Sequence, residues 1–225
     1  MRSIYERALG SDFEKLHPQI QRRFGFSSGD GKASIGRGVM EEVWHGPPYM
    51  LPFLHLGTRR NIMFPETGRD IPFTVENYAY RDELGRETVS WIRTFQTDPP
   101  RRFDAYMIYS EERDRVIDYM GTHQHLAVDM DFRVGPSGGL CLRTGAQRFY
   151  EGLVGFSFPM CFSGVADVEE RYDDDVRCFR IEVSVSNRTW GRIFGYKGRF
   201  EAEWRPVGSD EIPAAILPRR TEHRE

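Results

Sequence analysis

The sequence has few cysteines, no long apolar run and no excess of positive charge. Its three cysteines, Cys141, Cys161 and Cys178, are too scattered for a disulfide framework or a C-x-x-C metal site, and an odd number is typical of reduced thiols in a cytosol. No stretch approaches the roughly 20 apolar residues that span a bilayer, and the charged N-terminal segment lacks the apolar region of a signal peptide. We therefore expect a cytoplasmic protein without a membrane span.

The charge balance argues against a protein that coats nucleic acid. Lys and Arg total 31, Asp and Glu total 34, and the formal net charge is −3. The chain also lacks an internal repeat of fixed period. Its 225 residues, 39% of them hydrophobic and 13% aromatic, can build the core of one large domain, and we expect a single domain overall.

The first 26 residues predict a helical segment packed against a larger body. Apolar residues recur at spacings of four between Ile4 and Phe24, which is the pattern of a helix with one buried face. Gly10 is typical of a helix end, and Pro18 of a break or a new start. We therefore expect two short helices rather than one long helix.

Residues 27–70 predict a loop-rich segment. The glycines and serines from Ser27 to Gly38 favour a flexible loop, and the prolines between Trp44 and Phe64 exclude a central strand. This second part can form a lid, with His45, Tyr49 and His55 near a ligand. It can equally plug one end of the fold, because a loop over a core must bury apolar residues in any case.

Residues 71–206 have the period of two that is typical of half-buried strands. Apolar and polar residues alternate most clearly in Leu126–Val134, in 179–186 and in 199–205. Short turns separate eight to ten such runs, which favours an antiparallel meander. We predict a mainly β fold that closes into a calycin-like barrel or half-barrel, with a sandwich as the alternative and 207–225 as a flexible tail.

Arg93 lies between Trp91 and Phe95 on the face of its strand that we predict to point inward. A buried guanidinium needs a partner, and inward carboxylates such as Asp118 or Glu170 can pair with it. Alternatively, Arg93 faces a carboxylate, enolate or phosphate of a bound molecule. We name Trp91, Arg93, Phe95, Tyr109 and Arg143 as candidate ligand-binding residues.

His123 and His125 form the most conspicuous polar pair. Two histidines at this spacing can ligate a metal, but no completing motif is present, and we predict no metal site. They can be turn residues bonded to a carboxylate, or they can hold a ligand or move a proton. With Tyr196, they are the candidate catalytic residues. The glycine turn that precedes Cys141 lacks the spacing of a phosphate loop.

Several short motifs carry a family resemblance. They are Leu16-His17-Pro18, Trp91-x-Arg93-x-Phe95, Gly138-Gly139-Leu140-x-Leu142-Arg143, Phe158-Pro159, and Gly191 with Gly195-Tyr196-x-Gly198-x-Phe200. In this order the chain resembles the bacterial domain of unknown function 4166, known from the C-terminal part of YndJ-like proteins, from about Leu9 to Trp204. The resemblance implies a stand-alone domain and names no activity or catalytic residue.

These features lead to three functional hypotheses. The leading one is a barrel that binds a small hydrophobic molecule, with Arg93 and one of the two histidines fixing a polar end. The second is a cofactor-free cyclase or isomerase in the same cavity, since enclosing a substrate can accelerate a unimolecular step. The third is a solid barrel that acts as a protein-interaction module. We expect no cofactor, and a homodimer is the protein partner that we consider.

Overall fold

The computed structural model of the protein describes residues 1–159, 163–208 and 211–225. Within these residues, no helix is both long and apolar enough to cross a membrane. The helices are α1 Ile4–Leu9, α2 Pro18–Phe24 and α3 Leu51–Thr58. The strands are β1 Lys32–His45, β2 Ile71–Arg81, β3 Glu87–Phe95, β4 Arg101–Ser110, β5 Arg115–Met120, β6 Leu126–Val134, β7 Leu140–Glu151, β8 Val154–Ser157, β9 Val165–Asp173, β10 Cys178–Asn187 and β11 Gly191–Pro206.

The strands form a closed antiparallel barrel. Ten of them follow the order β6-β5-β4-β3-β2-β1-β11-β10-β9-β7, and β6 pairs again with β7 to complete the circle. β8 is the exception, because it pairs with β7 alone and extends that strand into a hairpin. The predicted mainly β fold with a barrel is confirmed. Closure removes the free sheet edges that an open meander would expose.

The predicted short N-terminal helices are also present. Ser3 caps α1 in a capping box with Glu6, and Pro18 occupies the first turn of α2, where a missing N–H costs nothing. The rings of Tyr5 and Phe24 pack edge to face, 4.9 Å apart, and Phe24 reaches Trp91 inside the barrel. The two helices therefore close one end of the barrel, which we call the α1/α2 end.

β1 begins inside the glycine-rich segment that we expected to be a loop. Thirteen of its residues pair with β11 and eight pair with β2, so it is a central strand of the barrel. Gly36 explains why glycine is needed here, because a Cβ at this position would lie 2.6 Å from Val75 and 2.7 Å from Phe200. Glycine in a strand often marks such a close approach rather than a loop.

The segment after β1 closes the opposite end of the barrel, which we call the α3 end. Met50, Leu54 and Phe64 are buried, and the ring of Phe64 lies 4.9 Å from the rings of both Phe95 and Phe194. α3 is a helix that the proline-rich sequence did not lead us to predict. Its position agrees with a plug, because the apolar side chains of this segment complete the core.

The C-terminal tail lies against the outside of the barrel, in contrast to the flexible tail that we expected. Ile216 belongs to a second apolar cluster on the outer face of β1 to β6, where Tyr106 and Ile117 are fully buried. Tyr119 donates a hydrogen bond to the carbonyl of Arg224 at 3.0 Å. The tail covers a barrel face that would otherwise expose aromatic and aliphatic side chains.

Candidate functional site

A cavity of about 80 Å³ lies inside the barrel between its two plugged ends. Most of its lining is apolar, with a cluster of methionines: Met63, Met107, Met120 and Met130. Flexible thioether side chains adapt to irregular apolar shapes. The polar side chains that line the cavity are Arg93, Asp118, Thr144 and Gln147. An apolar pocket with a few polar groups is the usual form of a small-molecule site.

Arg93 lies on β3 and is 4% exposed. Its Nε donates to the carbonyl of Phe103 and its Nη1 donates to the hydroxyl of Tyr196, each at 3.2 Å. The guanidinium also lies 3.9 Å from the centre of the Phe103 ring. Among the described residues, no carboxylate lies within ion-pair distance of it. The pairing with Asp118 or Glu170 that the sequence suggested is absent from the described residues.

Asp118 lies on β5 and also lines the cavity. Its Oδ1 is buried and has no hydrogen-bond partner among the described residues. Burial raises the pKa of Asp118 to about 7, and the charge of Arg93 and a hydrogen bond from the backbone of Tyr106 offset this only in part. Near neutral pH this carboxyl group can therefore hold or release a proton.

Glu170 is engaged by a different arginine. Arg23 extends from α2 into the barrel and donates from Nε to Oε1 of Glu170, and its Nη1 donates to Ser34 at 2.9 Å. Both charged side chains are 1% exposed. Burial raises the pKa of Glu170 although the nearby Arg23 charge acts in the opposite direction. This pair holds the α2 plug in place and leaves Arg93 and Asp118 as the charges at the cavity.

The other inward candidates take different positions. Trp91 lines the cavity beside Arg93. Tyr196 is fully buried, and burial raises the pKa of its hydroxyl, which accepts the hydrogen bond from Arg93. Phe95 packs against Phe64 and Tyr196, each ring about 5 Å away. Tyr196 and Phe95 thus support the cavity from behind rather than line it.

Tyr109 and Arg143 lie away from the cavity. Tyr109 is near the end of β4, where its hydroxyl donates to Asp114 and Arg7 lies 4.1 Å from its ring centre. Arg143 is exposed and lies 3.5 Å from Asp167. Its neighbours Leu142 and Thr144 line the cavity, so alternation along β7 turns Arg143 outward. Nothing in this placement gives either residue a contact with a molecule in the cavity.

The two histidines do not line the cavity either. Nε2 of His125 accepts from Arg60 at 2.8 Å, and its Nδ1 lies 2.9 Å from the carbonyl of Tyr150, 2.9 Å from Nη1 of Arg220 and 3.0 Å from the carboxylate of Glu151. The ring of His123 stacks on the His125 ring with centres 5.7 Å apart. Burial and, after it, the charge of Arg60 lower the pKa of His123. The described residues contain no cluster of three metal-ligating side chains.

The proposed lid residues are also remote. Tyr49 is exposed and donates to the carbonyl of Trp190 at 2.9 Å, and His55 is exposed on α3. The residues of this segment that reach the cavity are instead Ile62 and Met63. Cys141 and Cys178 are buried free thiols, while Cys161 lies outside the described residues.

Asp118, Thr144 and Gln147 are the polar cavity residues that were not among the candidate site residues. A signal for Asp118 is present in the sequence, because it shares the alternation of Val116 and Met120, which both point to the core. An acidic residue on an apolar face is such a signal. Gln147 follows an irregularity in the pairing of β6 with β7, and simple alternation does not predict its side.

Comparisons with known proteins give a family and a full-length relative, but no activity. The family model described as "Domain of unknown function (DUF4166)" matches residues 16–200. The "Uncharacterized protein YndH" of Bacillus subtilis (strain 168) is 34% identical over 207 residues, which are 91% of this chain and 99% of that protein. No solved structure matches the chain significantly.

Proposed function

We propose, from the premise that the chain belongs to the family of the domain of unknown function DUF4166, that it binds one small hydrophobic molecule inside its barrel. Arg93 and Asp118 hold the polar end of this molecule, and the methionine-rich wall of the cavity surrounds its apolar body. Because the family name states no reaction, the proposal depends on the chemistry of the cavity.

The observation that carries the proposal is the pair of buried ionisable side chains, Arg93 and Asp118, at one apolar cavity. Buried charges are expensive unless an opposite charge or hydrogen bonds compensate them. Arg23 and Glu170 satisfy this rule by pairing with each other, whereas Asp118 leaves Oδ1 without a partner among the described residues. A ligand group that bonds to Arg93 and Asp118 would supply the missing compensation.

The same side chains indicate the chemical class of the ligand. A guanidinium only donates hydrogen bonds, and a carboxyl group that is protonated near neutral pH can donate one as well. Two donors together suit an oxygen acceptor, such as a carboxylate or a carbonyl group. The size of the cavity, about 80 Å³, favours a short or compact molecule over a long acyl chain.

Native mass spectrometry of the protein purified from its own host tests the proposal. We expect a stoichiometric organic molecule that is lost in Arg93→Ala and is released on denaturation. Arg143→Ala is the matched control, because it removes an exposed arginine that lies away from the cavity. If Arg93→Ala does not fold, Arg93→Gln retains a donor and much of the volume. Equal ligand content in all variants would contradict the proposal.

A second candidate function is a cofactor-free isomerase in the same cavity, which Asp118 favours. Arg93 would donate a hydrogen bond to a carbonyl oxygen of the substrate, and the Asp118 carboxylate would take a proton from the neighbouring carbon to form an enolate. The carboxylic acid would exchange its proton with water and then protonate another carbon of the substrate. The step moves one proton and needs no oxidant or reductant.

Deuterium exchange separates the two functions once the bound molecule is identified. In D₂O, an isomerase would exchange the proton next to the carbonyl, and Asp118→Asn would bind the molecule without this exchange. A pure binding protein would show no exchange in wild type or variant. Cyclisation, the other reaction that we considered, would give a product of the same mass with a different NMR spectrum.

A further inference from the structure

Exposed apolar side chains concentrate at the α3 end of the barrel. The carbonyl of Arg60 accepts a hydrogen bond from the β5–β6 turn, and the first residue of β6 pairs with Phe149, so the base of the β7–β8 hairpin lies at this same end. Beyond its base the hairpin lies beside the C-terminal tail, where Tyr150 donates to Glu225 and Val154 accepts from Arg224. Leu153 at the tip of the hairpin is 102% exposed. The exposed large apolar residues here are Tyr49, Phe53, Leu56, Leu153, Val154 and Phe156.

Aromatic rings support both of these protrusions. Phe149 and Phe156 lie 5.4 Å apart on the paired strands of the hairpin, and Phe158 lies 5.0 Å from Phe156. On the other protrusion, Phe53 on α3 lies 5.6 Å from the ring of Trp190. Aromatic residues of this kind are enriched where proteins meet the membrane–water interface.

The charges differ between the two ends of the barrel. The α3 end carries the exposed arginines Arg59, Arg69, Arg188, Arg192 and Arg219, against the exposed acidic residues Asp70, Asp98 and Glu151. The turns at the α1/α2 end and the residues beside them carry the exposed acidic residues Glu83, Glu111, Glu112, Asp114, Asp174 and Asp175, against Arg81, Arg113 and Arg177. The N-terminal helices and the residues around them add equal numbers of exposed charges of each sign, Asp12, Glu14 and Asp30 against Arg2, Lys15 and Arg22. One end is therefore apolar and basic, and the other is acidic.

We propose that the α3 end docks on an anionic lipid bilayer, with Leu153 and Phe53 entering the interface and Arg188 and Arg192 facing the lipid headgroups. Buried apolar area and attraction to anionic lipids together drive such binding. The acidic α1/α2 end would face away from the membrane, because the same surface charge repels it. This inference goes beyond the proposed ligand binding and does not depend on it.

A second copy of the chain fits this surface less well. A symmetric contact would bring the exposed arginines of two α3 ends together, and like charges across an interface oppose association. A head-to-tail contact would place the apolar hairpin against an acidic end whose exposed large apolar residues are Leu84 and Val176, with Met1 nearby. A bilayer accommodates both the apolar tips and the arginines.

Sedimentation with vesicles tests the proposal on the full chain. The test compares vesicles of phosphatidylcholine alone with vesicles that also contain phosphatidylglycerol, each at low and at high salt. We expect binding to the anionic vesicles, weaker binding at high salt, and a loss of about tenfold in Phe53→Ser/Leu153→Ser. The control variant, Leu84→Ser/Val176→Ser, removes two exposed apolar residues from the opposite end and should bind like wild type.

Charge reversal gives a second, independent measurement. Arg188→Glu should weaken binding to the anionic vesicles, whereas Arg177→Glu at the α1/α2 end should not. Absence of binding to anionic vesicles, or equal losses in the two double variants, would overturn the proposal. So would a wild-type dimer in analytical ultracentrifugation that becomes a monomer in Phe53→Ser/Leu153→Ser, because the surface would then bind a second copy.

Discussion

Arg23 on α2 forms an ion pair with Glu170 on β9 inside the barrel, and both side chains are 1% exposed. The pair links the N-terminal plug to the barrel wall across 147 positions of sequence. It also consumes one of the two carboxylates that we considered as partners of Arg93. Because Glu170 pairs with Arg23, it does not neutralise Arg93, and the function proposed for the cavity depends on this.

Removing one member of the pair should destabilise the protein more than removing both. Glu170→Leu leaves the buried Arg23 charge without its partner, and we expect the free energy of unfolding to fall by about 3–5 kcal/mol. The double variant Arg23→Met/Glu170→Leu replaces the charges by apolar groups and should recover most of this loss. Urea unfolding measures the free energy of unfolding of the single and the double variant. A double variant that is at least as unstable as Glu170→Leu would contradict this prediction.

Asp118→Asn should stabilise the ligand-free protein, and more so at higher pH. The folded-state pKa of Asp118 is raised to about 7, above its ordinary value of 3.8, so the folded protein binds more protons than the unfolded chain between these two values. Wild-type stability from this group therefore falls as pH rises from about 4 to 7 and stays low above that. We expect the advantage of the variant to grow by about 2–4 kcal/mol over this range.

Thermal unfolding at a series of pH values checks this prediction. The difference between variant and wild type isolates Asp118, because other titrating groups are common to both proteins. Asp131→Asn serves as a control, since Asp131 is an exposed carboxylate on the neighbouring strand β6. A constant difference from pH 4 to 8 would show that the pKa of Asp118 is not raised.

The histidines should be dispensable for ligand content. His123 and His125 contact each other and residues such as Arg60 and Tyr150, and neither lines the cavity. We therefore expect His123→Gln and His125→Gln to retain the bound molecule in native mass spectrometry, while Arg93→Ala loses it. Loss of ligand in either histidine variant would instead support the role in ligand binding or proton transfer that the sequence suggested.

The C-terminal tail should contribute to stability through Glu222. This side chain is 2% exposed and accepts hydrogen bonds from Arg220 and Arg224, and its backbone N–H donates to Gln124 at 2.8 Å. We expect Glu222→Ala to lower the free energy of unfolding by about 1–3 kcal/mol, since it leaves the half-buried guanidinium groups of Arg220 and Arg224 without a charged acceptor. Glu211→Ala, at an exposed tail position, should change it by less than about 0.5 kcal/mol.

The fold was predictable from the sequence where one face of a strand is buried and the other face is exposed to solvent. β10 follows this rule along its length and β11 follows it from Tyr196 onward, whereas Ala127 and Asp129 on the outer face of β6 are buried although the sequence of β6 alternates. β3 and β4 alternate less cleanly because the outward residues Ile92, Tyr106 and Ile108 pack beneath the C-terminal tail. A strand that is buried on both faces loses the period of two. The tail itself carries no pattern that predicts where it docks.

β1 and the candidate site show where local patterns fail. Glycines normally favour loops, but in β1 they admit the Phe200 and Val75 side chains, which are distant in sequence. Alternation placed Trp91 and Arg93 correctly at the cavity. Alternation does not predict that Glu170 pairs with Arg23, because this contact depends on where α2 enters the closed barrel.

The central claim is that the barrel interior binds a small molecule through Arg93, and methionine-methyl NMR tests it most directly. Met107, Met120 and Met130 line the cavity, whereas Met1 is exposed and Met40 is buried elsewhere in the core. Hexanoate combines a short apolar tail with a carboxylate, and 1-hexanol is its uncharged counterpart. We predict that hexanoate shifts the methyl signals of Met107, Met120 and Met130 more strongly than hexanol does and leaves those of Met1 and Met40 unchanged. This effect should be lost in Arg93→Ala but not in Arg143→Ala. Unshifted cavity methyls in wild type, or equal shifts in both variants, would contradict the account.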